Sequence, residues 1–121
     1  MRIRLALLLL SLLWCGVAFA SDHDKADIVF AQAQTSVKAA EATDAATYAP
    51  VELNAAQSNL AAARGALDRR KWNDSAMSSE KAQADAELAA ARAREKRATA
   101  AMAEIEASVD TLRREINRPG N

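Results

Sequence analysis

The chain has 121 residues, enough for one small domain, with 16 basic against 16 acidic residues and 50% hydrophobic content. A formal net charge of zero and only 4% aromatic residues argue against a nucleic-acid surface, which needs a basic face interleaved with aromatics. One histidine and one cysteine set aside His-pair and multi-cysteine metal sites and leave His23 as the only imidazole for a Ser-His-Asp triad, for which no nucleophile–base pair stands out.

Residues 1–20 read as a processing signal. Arg2 and Arg4 form a basic start, Leu5 to Trp14 an apolar run broken only by Ser11, and Ala18-Phe19-Ala20 a small-x-small site. Cleavage is expected after Ala20, where the polar Ser21-Asp22-His23-Asp24 begins. The apolar run falls short of the roughly 20 residues that a membrane span needs. The reading is therefore an exported, periplasmic protein of a bacterial envelope. Cys15 precedes a glycine, as a lipid-attachment cysteine would, but follows the bulky Trp14 where a small residue is required. A lipoprotein is not expected, and Cys15 leaves with the leader.

Loss of Arg2 and Arg4 from the 16 basic residues leaves 14 against 16 acidic, a net charge of −2. Of the 101 remaining residues, 13 are Leu, Ile, Val or Phe and 28 are Ala. So few large apolar groups would suit a disordered chain, but low net charge and abundant alanine favour helix with a thin core.

The first helix is expected over about 24–46, capped by Asp24, with Ala26, Phe30, Ala33, Val37 and Ala40 on one face. The second is expected over 50–70. Pro50 fits a first helical position, Ala49 before it is pushed out of helical geometry, and Tyr48 and Leu53 can pack across the cap. Its stripe is Leu53, Ala56, Leu60, Ala63 and Leu67, interrupted by Gly65. The third is expected over 74–117, capped by Asn73 with a Trp72–Met77 staple and stopped by Pro119-Gly120. Its stripe reads Met77, Lys81, Ala84, Leu88, Ala91, Glu95, Ala98, Met102, Ile105, Val109, Leu112 and Ile116. Spacings alternate four and three throughout, the pattern of a coiled-coil seam.

Short connections imply antiparallel neighbours, so the fold class is all-α: a helical hairpin or three-helix bundle with a long C-terminal coiled-coil helix. The first two helices are half the length of the third and cover it only from about Met77 to Ala98. Met102, Ile105, Val109, Leu112 and Ile116 are left without cover, which calls for a helical protein partner or a homo-oligomer.

Tyr48-Ala49-Pro50, Glu52-Leu53, Ala56, Leu60 and Ala63, with the later Glu80-Lys81-Ala82-Gln83-Ala84-Asp85-Ala86-Glu87-Leu88-Ala89, resemble domain-of-unknown-function family 4398 over about Ala26 to Arg97. The resemblance implies an exported helical protein of Gram-negative envelopes. Members of that family are often lipoproteins, and some are fused to a peptidoglycan-binding domain of the outer-membrane protein A type. Trp14 departs from the first pattern. The sequence read to Asn121 offers no such domain, so a departure from the other pattern is expected as well. The family supplies no catalytic residues to carry over.

One candidate metal site remains. Cleavage after Ala20 makes His23 the third residue of the product. A free amine, two backbone amides and that imidazole can wrap Cu(II) or Ni(II) in a square plane, so a periplasmic copper- or nickel-binding protein is the alternative reading. No cofactor is otherwise expected. Glu104 and Glu106 are two apart on a helix and do not face each other, so no catalytic acid pair is expected. Arg69-Arg70-Lys71 and Arg92-x-Arg94-x-Lys96-Arg97 offer envelope or peptidoglycan association through carboxylates or phosphates, though a solvated helix face explains both. Lys81 and Glu95 interrupt the long stripe, as register devices or as a mark of where the helix leaves the bundle. The expectation is a non-enzymatic helical interaction protein.

Overall fold

The computed structural model describes residues 21–118. The expected leader and cleavage point, Cys15 and the expected Pro119-Gly120 stop lie outside the described residues. Within them the chain forms α1 (Asp22–Glu41), α2 (Ala45–Tyr48), α3 (Pro50–Asp68) and α4 (Trp72–Ile116).

The ends follow local chemistry. Ser21, not Asp24, caps α1: its hydroxyl accepts from the Asp24 amide, with Asp22 and Asp24 on the positive end of the helix dipole. The first helix also stops earlier than expected. Thr43 turns the chain by donating its hydroxyl to the Ala40 carbonyl at 2.7 Å, and Asp44 adopts a left-handed conformation (φ 59°) that Asp tolerates better than most residues. The single turn α2 follows. Pro50 then opens α3, and Ala49 before it is non-helical (φ −140°), as the proline requires.

At the far end of α3, the Lys71 amide donates to the Ala66 carbonyl and the Arg70 amide to the Leu67 carbonyl. That pair of bonds is a Schellman stop, with Arg70 (φ 58°) where glycine is usual. The turn delivers the chain directly into α4 at Trp72. Asn73, the expected cap, therefore lies inside the helix, and Lys71 holds the cap position.

The helices form a bundle with α4 as its spine, packed on both α1 and α3. His23 meets Trp72, and Asp44 reaches Arg97, so α1 runs parallel to α4. Asn59 donates to Asp85 at 2.8 Å, and Glu52 pairs with Arg92, so α3 runs antiparallel to it. Gln57 bonds Glu41 at 2.8 Å between α1 and α3. These cross-helix polar pairs fix register in a seam whose small side chains would otherwise slide.

The expected faces of α1 and α3 are the observed ones. Ala26, Phe30, Ala33, Val37 and Ala40 are buried, as are Leu53, Ala56 and Ala63, while Leu60 and Leu67 are half-buried. The face of α4 is not the expected one. Its buried residues are Ser75, Ser79, Ala82, Ala86, Ala89, Ala90 and Ala93. Met77, Lys81, Ala84, Leu88 and Ala91 are exposed. Ser75 to Met77 is a shift of two residues, about 200° around a helix, so the expected stripe lies on the side away from the bundle. Two helices must approach one side of α4 together, which suits alanine and serine and leaves no room for Leu or Met.

This seam buries little area per residue, and apolar burial stabilises by roughly 25 cal/mol per Å². Among the 13 Leu, Ile, Val and Phe residues from Ser21 onward, only Phe30, Val37 and Leu53 are buried. Leu53→Ala is therefore expected to cost about 2–5 kcal/mol, the usual range for a buried leucine, and to unfold much of the bundle at room temperature. Gly65 sits inside α3, where an added β-carbon would meet only the flexible Arg69 guanidinium, at 3.5 Å. Gly65→Ala and Arg70→Gly should each raise stability by about 1 kcal/mol, the first through helix propensity and the second by relieving the left-handed backbone. Thermal melts followed by circular dichroism check all three: a fall for Leu53→Ala, and a rise of about 4–8 °C for each of the others.

Candidate functional site

The most distinctive surface begins where the bundle ends. Ala93 is the last buried residue of α4, and every described residue from Arg94 onward is exposed. The cap of the bundle is polar. Arg92 pairs with the half-buried Glu52, and Arg97 lies 3.4 Å from Asp44. Two cations of the second basic cluster are thus engaged by acids of the bundle. In the first cluster, Arg70 forms the α3 stop and Lys71 reaches Asp74 at 4.0 Å.

From Ala98 to Ile116, α4 projects as an arm of about 28 Å. Met102 is 62% exposed, Ile105 63%, Val109 40%, Leu112 62% and Ile116 81%, so the residues expected to bind a partner form one open apolar ridge. Ser108 and Thr111 donate to the carbonyls four residues back, and Arg113 lies 3.8 Å from Asp110.

The ridge does not stop at the bundle. Leu88 (44% exposed) and Met77 (57%) continue it along the outer face of α4, with Ala84, Ala91 and Ala98 between. Lys81 and Glu95 lie on this same outward line and both are exposed. Glu95 sits where α4 leaves the bundle; Lys81 lies well inside it. Sequence reasoning divided this stripe into an inner half facing the bundle and a free outer half. The structure places both halves on one outward face, broken only by the charges of Lys81 and Glu95. The missed signal was a second four-three series of small residues, Ser75, Ser79, Ala82, Ala86, Ala89 and Ala93, two positions out of phase.

His23 is placed differently from any ridge residue. It lies in the first turn of α1, its ring edge-on to Trp72 with centroids 4.5 Å apart, and its Nδ1 is 3.5 Å from both Asp24 and Asp27. Wrapping a square-planar ion would need the amides of Asp22 and His23 to leave helical geometry and Ser21 to give up its capping role. No group of three or more His, Cys, Asp or Glu stands ready to hold a metal among the described residues. Elsewhere an open groove runs between α1 and α3, lined by Phe30, Leu60 and Arg64 among others, with the Arg64 guanidinium 5.7 Å from the Phe30 ring. No helix among the described residues is long and apolar enough to cross a membrane.

Coupling between the N-terminus and Trp72 makes the copper alternative measurable. Cu(II) added to protein beginning at Ser21 should bind one ion per chain and pull His23 off Trp72, changing the indole fluorescence. His23→Ala should lose that response, and equal uptake by both proteins would dispose of the site.

A family model described as a domain of unknown function (DUF4398) matches residues 29–105. The chain belongs to this family. The match covers the bundle and the first part of the arm. No curated protein and no solved structure matches the chain.

Proposed function

We propose that this member of the DUF4398 family is a non-enzymatic interaction protein of the bacterial envelope, exported to the periplasm, that works by coiled-coil contacts along the outer face of α4. One observation carries the reading. A chain with few large apolar residues leaves Met102, Ile105, Val109, Leu112 and Ile116 in water on one helix, while its own core is built mainly from alanine. Side chains that would stabilise the bundle stand on the ridge instead. Contiguous exposed apolar surface of this kind marks a contact site, and the four-three spacing suits a helix as the occupant.

Export rests on the leader: a basic start, an apolar run and a small-x-small site before Ser21. The −2 charge left after its removal favours a protein contact over an anionic lipid surface.

In-cell photocrosslinking tests the reading. A benzophenone amino acid at Val109 should yield discrete crosslinked species in the periplasmic fraction, and the same group at exposed Ala62 on α3 should not. Leu112→Asp should abolish those species without changing the helical circular dichroism signal. A probe at Val109 that captures nothing in any fraction would overturn the proposal.

A further inference from the structure

The ridge has a charge and size pattern that selects its occupant. The four-three stripe on the outer face carries Lys81, Leu88, Glu95, Met102, Val109 and Ile116 in one seven-residue series and Ala84, Ala91, Ala98, Ile105 and Leu112 in the other. Asp85, Arg92, Glu106 and Arg113 flank it on one side; Glu87, Arg94, Ser108 and Glu115 flank it on the other.

We infer that the outer face of α4 pairs with the same face of a second copy, antiparallel, with the two-fold axis near Ala100. This rests on the coiled-coil reading above and names its partner. In that register Met102 meets Ala98 of the other copy, Val109 meets Ala91 and Ile116 meets Ala84. Large residues of each arm thus fill the alanine positions beside the other copy's bundle, and Leu112 meets Leu88. Facing positions that alternate large with small interdigitate well. Lys81 falls beyond the overlap. Glu95 meets Ile105, the one poor layer.

Charge supports the same register. Arg92, whose guanidinium also pairs with Glu52 of its own bundle, comes opposite Glu106 of the second copy, and Asp85, which also accepts from Asn59, comes opposite Arg113; the two-fold repeats each pair. The like-charged Glu87 and Glu115 meet at the ends, in solvent where an ion pair counts for little. A shift of one heptad opposes Arg92 to Arg113; the opposite shift opposes Asp85 to Glu106. A parallel, in-register pair sets Lys81 on Lys81 and Glu95 on Glu95 within the seam, and Glu80 against Asp85. Like charges held there are costly.

Area decides against the remaining alternative, pairing of the arm tips alone. The overlap from Ala84 to Ile116 is about 50 Å long, against about 18 Å for tips meeting from Ile105 to Ile116. Taking each helix as about 10 Å wide, the long pairing covers about 1,000 Å² in total before side-chain relief is added, and the tips cover about 360 Å². Specific interfaces begin near 1,000–1,200 Å². The bundle leaves the route open, because α1 and α3 occupy the side of α4 that carries Ser75, Ser79 and Ala82.

Sedimentation and paired spin labels test this on the full-length gene product, purified as the host processes it and carrying Cys15→Ser. The protein should dimerise with concentration, and Leu112→Asp, which disturbs two symmetry-related Leu–Leu layers, should weaken the dimer by about 100-fold or more. A label at Asn117→Cys should report a separation of about 50 Å, and one at Ala100→Cys about 20 Å. Equal short distances at both positions would mean parallel pairing and overturn the inference. So would a short distance at Asn117 with a longer one at Ala100, the tip arrangement. A protein that stays monomeric at every concentration overturns it as well. In that last case a Val109 crosslink to a different envelope protein leaves the interaction reading standing, whereas no crosslink at all removes both.

Discussion

The arrangement depends on the small side chains of one face of α4. Ser75, Ser79, Ala82, Ala86, Ala89 and Ala93 let two helices approach the same side of a third, which bulkier residues would prevent. The constraint has two consequences. The bundle gains little stabilisation per contact, and the large apolar residues of α4 must go somewhere else. They stand on the opposite face.

Polar pairs supply what the seam lacks. An alanine interface tolerates sliding, because neighbouring registers bury similar area. Asn59 with Asp85, Glu52 with Arg92, and Gln57 with Glu41 are satisfied in one register only. Exposed pairs of this kind add little energy, so their effect here is on alignment rather than stability. The two buried hydroxyls, Ser75 and Ser79, have no hydrogen-bond partner among the described residues and are tolerated for their size. A thin core, a left-handed Arg70 and a glycine within α3 make a bundle of modest stability. Covering the outer face of α4 adds the apolar burial that its own chain does not provide, so association and folding should reinforce one another.

Sequence reading recovered the all-α class, the faces of α1 and α3, the Pro50 start and the uncovered arm, because each rests on residues with strong preferences. Phe30, Val37 and Leu53 mark their faces unambiguously. The inner face of α4 was misassigned for the same reason: Met77 and Leu88 look like core, and alanine and serine look neutral. Size, not hydrophobicity, determines which side of α4 faces the bundle, and a single helix pattern does not reveal how many neighbours press on it. The break after Glu41 was missed because no glycine or proline marks it; Asp44 takes the left-handed position instead. His23 was legible as a third-position ligand, and the short connections imply that α1 and α4 run parallel, but the register that sets His23 against Trp72 has no local signal.

The central claim is that α4 carries two working faces, one satisfied within the chain and one open to another. Hydrogen exchange along α4, followed as protein concentration rises, addresses it most directly. In dilute protein, the amides of 75–93 should be protected and those of 98–116 should exchange rapidly, and concentration should slow the latter selectively. An arm as protected as the bundle at the lowest concentration, and indifferent to any increase, would mean that the chain already covers its own ridge and would contradict this account.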